Sequence, residues 1–282
     1  MTSRDHDQPE SPFLVERLMR HALSQAEADY ASEEEFRAAV AVRVDHDLYR
    51  RRLAELEQDP RELAQELAYQ AYEIEDADQA RELAERALVL DEENCDALTV
   101  RAFLLCEDTG ELVEQLEHAA ICGERRLGEE FFAASTGDFW PMVAARPYMR
   151  TVKQLAEVLW SVGRRLDAVE HYEDLLDLDP ADHLGNGILL VGDYLAMGEV
   201  QRAWDLLEEI DDGSAVAAWA WVLLLVLIED DEGARGGLHE AMEANPYVAP
   251  WFAVSYTHLT LPTIILPCRS RWSPERENGG GG

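Results

Sequence analysis

A histidine between two carboxylates, in Val44-Asp45-His46-Asp47, is the nearest the sequence comes to a metal site, since imidazole and carboxylate together suit zinc. One such tripeptide supplies too few ligands, so it reads as a charged helix surface. His118, His171 and His239 fall in helical stretches and read as surface side chains. Cys95, Cys106, Cys122 and Cys268 form no C-x-x-C pair and no Cys/His cluster at zinc spacing, and are too few for a disulfide framework. Cys106 and Cys122 read as small buried hydrophobes, and the thiols as reduced, in the cytoplasm. G-x-S-x-G, H-E-x-x-H and a phosphate-cradling glycine loop are all missing, and Gly233, Gly236 and Gly237 fall inside a helical pattern that they soften. The expectation is therefore a protein with no catalytic residue, metal or cofactor.

The chain has 282 residues and a formal net charge of −34. Hydrophobic content of 47% and charged content of 29% suit a folded protein with a substantial core. Such a polyanion is repelled by phosphate backbones and anionic lipid, so neither nucleic acid nor membrane is expected as a partner. All but one of the 24 basic residues are arginine, the exception being Lys153, which fits either a high-GC coding bias or adaptation to high salt. The most apolar run, Val216 to Ile228, is shorter than the roughly 20 residues that span a bilayer and reads as a buried helix. Met1 to Glu10 is polar and acidic, without the apolar core of a secretory signal.

The elements that could position any of these groups are helical. Apolar residues recur at three- and four-residue spacing from Pro60 to Val89, Asp59-Pro60 offers an N-cap with proline at N1, and Ser32-Glu33-Glu34-Glu35 reads as a capping box. The pattern then repeats. Met149 to Asp182 carries Leu155, Ala156, Leu159, Gly163, Ala168, Tyr172, Leu175 and Pro180; Leu184 to Ala217 carries Leu190, Val191, Tyr194, Gly198, Ala203, Leu207 and Ile210. Ala215 to Tyr247 gives a third copy, Arg61 to Asn94 another, and Cys95 to Gly123 a degenerate one. Alanines at such spacing let two helices cross closely, glycine permits the turn between them, and each pair needs a neighbour to cover its apolar face.

On these residues the chain resembles the tetratricopeptide-repeat (TPR) family over Arg61 to Ala253. Asp138-Phe-Trp-Pro, Arg146-Pro-Tyr-Met149 and Asn245-Pro-Tyr-Val248 resemble a divergent bacterial branch, distantly similar to the repeat region of suppressor-of-tumorigenicity-7 proteins. The resemblance implies an all-α, antiparallel helix-hairpin α-solenoid that binds a protein or peptide through a concave groove without chemistry of its own. An alternative is an accessory module of a larger regulator or enzyme. The groove positions that the resemblance implies include Arg146, Arg150, Lys153 and Trp160, a basic patch that could take an acidic peptide or C-terminal carboxylate, or neutralise acids of neighbouring repeats. In the last copy they fall on Val216, Trp219, Leu223 and Val226, an apolar strip that a further helix would have to cover.

The expected organisation is a polar tail with capping helices over 1–58, including Pro12 to Ala28 and Glu33 to Glu57, then repeats over 59–253 with an insertion at 124–147. Within the insertion, Asp138 to Ala145 suggests a short helix, and Phe131, Phe132, Phe139 and Trp140 need burial as a plug in the groove or project as a contact loop. Val254-Ser-Tyr-Thr-His-Leu-Thr-Leu-Pro-Thr263 resembles the translation of a transposase-end sequencing adapter, Cys268-Arg-Ser-Arg-Trp-Ser-Pro274 that of a flow-cell adapter, and Gly279 to Gly282 a poly-G read. Residues 254–282 are accordingly expected to be a non-native, disordered tail, with the natural chain continuing differently after Ala253.

Overall fold

A computed structural model of the protein describes residues 12–17, 19–20, 59–210 and 213–249. The Asp45-His46-Asp47 motif, the helix expected over Glu33–Glu57 and the 254–282 tail lie outside the described residues. All regular structure among the described residues is helical. The fold class is all-α, built of antiparallel helix hairpins, and two compact units can be distinguished.

The first unit takes in the described residues up to Ala134 together with Phe139–Thr151. Helices α1 (Pro60–Glu73) and α2 (Ala77–Leu90) form one hairpin, α3 (Cys95–Leu105) and α4 (Thr109–Leu127) the next. Connections of a few residues between packed helices make each pair antiparallel. α1 packs on α2, α2 on α3, and α1 also on α3, the A–B–A′ arrangement of stacked hairpins. Ala64, Ala68 and Ala71 on α1 and Ala80, Ala84 and Ala87 on α2 are completely buried, so these helices approach at their smallest side chains. Tyr72 and Val100 fill the space beside them.

Acidic residues start these helices. Asp59 accepts hydrogen bonds from the backbone amides of Arg61 and Glu62 (3.0 and 3.3 Å), Asp76 from Gln79 (2.8 Å) and Asp108 from Gly110 (2.8 Å), while Asn94 takes Ala97 (2.9 Å). Each satisfies amides that an α-helix leaves unpaired, and each carboxylate faces the positive end of the helix dipole. Pro60 occupies the first turn of α1, where no amide is missed.

α4 runs on to Leu127 and stops at Gly128 (φ 78°), after which α5 (Glu129–Ser135) restarts. The short helix expected over Asp138–Ala145 is not formed. Residues 139–145 are consecutive turns instead, closed by Met142 N–H to the Phe139 carbonyl (3.0 Å) and Ala145 N–H to the Met142 carbonyl (2.9 Å). The aromatic residues explain the departure: Phe139 is fully buried against the rings of Phe131 and Phe132 (centroids 5.4 and 5.0 Å), and Phe132 also meets Tyr148 (5.4 Å).

α6 (Arg146–Ser161) begins in the first unit and ends in the second. The second unit adds α7 (Arg165–Leu178), α8 (Asn186–Met197), α9 (Val200–Ile210), α10 (Ala215–Leu227) and α11 (Asp231–Ala244). Each of α7 to α10 packs on its successor, and α8 also on α10, repeating the stacking rule. Leu159, Leu175, Leu190, Leu207 and Leu224, one from each of α6 to α10, are among the largest fully buried side chains. Gly198 ends α8 at φ 78°, and the Glu199 amide reaches back to the Tyr194 carbonyl (2.9 Å), a turn that a Cβ would strain.

Helix contact at alanines predicts that Ala84→Leu overpacks the α1–α2 crossing and costs about 1–3 kcal/mol, measurable by urea denaturation.

Candidate functional site

On the first unit, side chains of α1, α3 and the start of α6 converge on a short N-terminal segment, helical over residues 14–17 and 19–20. The segment presents Phe13, Glu16, Arg17 and Arg20 at i, i+3, i+4 and i+7, one face of a helix turned inward. The Phe13 ring stacks on Tyr69 (4.7 Å) and tilts against Tyr72 (5.6 Å), both on α1. The Glu16 carboxylate accepts from Arg150 (2.7 and 3.1 Å) and from the Tyr69 hydroxyl (2.5 Å). Arg17 donates to Glu66 (2.9 Å) and pairs in a fork with Glu73 (2.7 and 2.9 Å). Arg20 donates to Tyr69 (2.9 Å), Glu62 (3.1 Å) and the Val143 carbonyl (3.3 Å).

Arg150 joins the segment to the repeats. Its guanidinium also donates to Asp96 on α3 (3.1 and 2.6 Å), a completely buried carboxylate. Gln65 on α1 donates to the same carboxylate (2.6 Å) and accepts from Asn94 (3.1 Å), so α1, α3 and α6 share one polar network. Thr99 and Thr151 bond each other beneath it (3.0 Å), and both are fully buried. Arg146, one turn before Arg150, is buried too: it donates to the Trp140 carbonyl (2.9 Å) and lies over the Trp140 ring (4.4 Å).

Burial pushes the Glu16 carboxyl up, but the Arg150 charge and hydrogen bonds from Arg150 and Tyr69 outweigh it and hold the group below its ordinary value. Burial loosens the hold of the Arg150 guanidinium on its proton, but Asp96 and Glu16 outweigh it and hold that proton far more tightly than usual. Burial dominates at Cys95, whose thiol is pushed up to about 12 and is not a nucleophile. Beside this network, Arg20, Glu62 and Gln65 also line a cavity of about 360 Å³ with Arg61, Phe131 and Tyr148 among its walls. Among the described residues no three His, Cys, Asp or Glu side chains converge as a metal would require.

Of the positions read from sequence, Arg146 and Arg150 come together in the first unit, and Lys153, Trp160 and Trp219 belong to the second. Lys153 donates to the Leu184 carbonyl (2.5 Å), and Arg165 lies over the Trp160 ring (5.2 Å). Trp219 differs from the open apolar strip expected around it. It is 5% exposed, packs with Val222, Ala241, Val248 and Ala249, and donates its indole N–H to the Asn245 carbonyl (3.1 Å), because residues 245–249 turn back over it. Val216 and Val226 on the same helix stay exposed. Burial raises the Glu157 carboxyl, with Lys153 opposing, and raises Asp193 on α8 to about 7, with Arg165 opposing.

Phe13, Glu16, Arg17, Arg20 and Asp96 had no place in the sequence reading. The signal for the first four was their i, i+3, i+4, i+7 spacing; Asp96 gave none, being one carboxylate among many at a helix start.

No family model matches the sequence, and no curated protein does. Among solved structures, this chain is similar to one titled "Crystal structure of MamA protein", with a TM-score of 0.47 and 14% identity over 71% of this chain and 100% of that one. No described helix is long and apolar enough to cross a membrane.

The depressed Glu16 carboxyl contributes stability that is complete above its ordinary value of 4.5 and disappears as pH falls through its lowered one. Glu16→Gln should therefore cost about 1–3 kcal/mol at pH 7, with the gap to wild type closing toward pH 3 in urea titrations. Asp193 has the opposite sign: its raised carboxyl weakens the fold increasingly from pH 4 up to about 7. Asp193→Asn should raise stability by about 1 kcal/mol or more at pH 8 and by less at pH 4, read by thermal melts at both.

Proposed function

We propose that the chain is a non-enzymatic helical-repeat scaffold of the cytoplasm that binds a protein or peptide on the α1–α3–α6 face of its first unit. One observation carries this reading. That face holds a helical segment drawn from far along the chain, with its own aromatic, acidic and basic subsites, so it has the shape and chemistry to hold a helix. Arg146 and Arg150 serve this surface, and Lys153 and Trp160 would serve a separate one on the second unit. The charge of −34 supports a protein ligand over nucleic acid.

A library of helical peptides displayed on phage and selected on the full chain tests the reading. Selected peptides should slow amide exchange in α1, α3 and the first turns of α6. Recovery of no peptide, or of peptides that protect only other surfaces, would refute it.

A further inference from the structure

Two carboxylates of the second unit lie largely out of water with no donor to hold them. Asp193 on α8 is 8% exposed and Glu157 on α6 is half-buried, yet neither makes a hydrogen bond or an ion pair among the described residues. The cations whose charge reaches them are engaged elsewhere: Lys153 donates to the Leu184 carbonyl (2.5 Å), and the Arg165 guanidinium lies over the Trp160 ring (5.2 Å). Tyr172 on α7 stands with them. Its side chain is 2% exposed, its hydroxyl makes no hydrogen bond among the described residues, and the charges of Glu157 and Asp193 both act on it. Donors are short on both flanking helices. Gln154, three residues before Glu157, has a buried Oε1 without a donor, and Asn186, seven before Asp193 and 1% exposed, has an Oδ1 in the same condition. Residues so spaced share a helix face. Buried carboxylates without donors weaken a fold, and local costs of this kind concentrate at functional sites.

We infer that Glu157, Tyr172 and Asp193 form a site on the second unit for the guanidinium of an incoming arginine side chain. The groups that meet there are two anions and a phenol oxygen, so the missing partner is a cation rich in N–H donors. A guanidinium carries five in a planar fork, enough to face both carboxylates and the phenol, and the fork distinguishes it from an ammonium. Glu157 and Trp160, about one turn apart on α6, are both half-buried, which leaves the site open to solvent along that helix. The negative field of a chain with net charge −34 draws such a cation in. The inference gives a ligand class to the second-unit surface proposed above and does not depend on the α1–α3–α6 face.

Two probes test it by amide chemical-shift titration of the isotope-labelled full chain: acetyl-arginine amide, and a capped alanine peptide with one central arginine. Amides of α7, α8 and the second half of α6 should shift saturably with both. Tighter binding of the peptide assigns the site to a polypeptide ligand, and equal binding assigns it to a free guanidinium compound; either result upholds the site. The same peptide with citrulline, the neutral isostere of arginine, should shift none of these amides, a readout that needs no variant. Asp193→Asn and Glu157→Gln should each weaken the arginine peptide at least tenfold. Asp193→Asn should do so while raising the melting temperature, which separates a binding role from a structural one. Equal shifts with the citrulline peptide, undiminished affinity in both variants, or no saturable shift with either arginine probe would overturn the site. The first-unit face would survive that failure, because its own peptides are mapped to α1, α3 and the first turns of α6.

Discussion

Arg150 is the residue on which the first unit turns. Its guanidinium bridges Asp96, fully buried on α3, and Glu16 of the N-terminal segment, while lying over the Phe13 ring (5.2 Å) and near that of Tyr69 (5.8 Å). Arginine suits the place because its planar fork can donate to two carboxylates at once and stack on aromatic rings, which a lysine ammonium cannot do. A buried ion pair of this kind adds little net stability over apolar packing, since desolvation offsets much of the attraction. Its stronger effect is to fix register. Only one placement of the segment gives Glu16 its guanidinium, Arg17 its fork and Arg20 its three acceptors together.

The same argument accounts for much of the acidity. A net charge of −34 works against compaction, yet many carboxylates have local tasks. Asp59, Asp76, Asp108 and Asp230 cap helix starts, where backbone amides and the dipole favour an anion. Glu62, Glu66 and Glu73 line one side of α1 and meet the arginines of the segment. Arg125 and Arg126 near the end of α4 pair with Glu93 and Asp91 before α3, tying the two ends of adjacent hairpins. Because the scarce cations go to particular anions, charge is arranged here by position more than by sum.

The hairpins were legible in the sequence because their code is local. Alanine at helix crossings, glycine at positive φ and acid caps act within a few residues, so spacing alone places α1 to α4 and α6 to α11. Gly198 and the buried alanines of α1 and α2 do in the fold what their spacing implied. The expected helix at 138–145 fails for a non-local reason: Phe139 and Trp140 are claimed by Phe131, Phe132 and Arg146, and those contacts outweigh a weak propensity. Trp219 was misplaced in the same way, since its cover comes from residues 245–249, beyond the helix pair that the spacing describes.

The face itself was half legible. The family resemblance implied a groove with Arg146 and Arg150 on it, but it said nothing of their partners, which lie 54 and 134 residues away in the case of Arg150. A repeat pattern records what each hairpin needs from the next one. It carries no record of a segment returning from outside the array, because such a segment is selected to match a face and not a period. The trace it leaves is spacing: Phe13, Glu16, Arg17 and Arg20 stand at i, i+3, i+4 and i+7, and the fold supplies the partners of the two arginines in Glu62, Glu66 and Glu73. A helical face spaced in this way outside the array is the mark of a segment that the array holds.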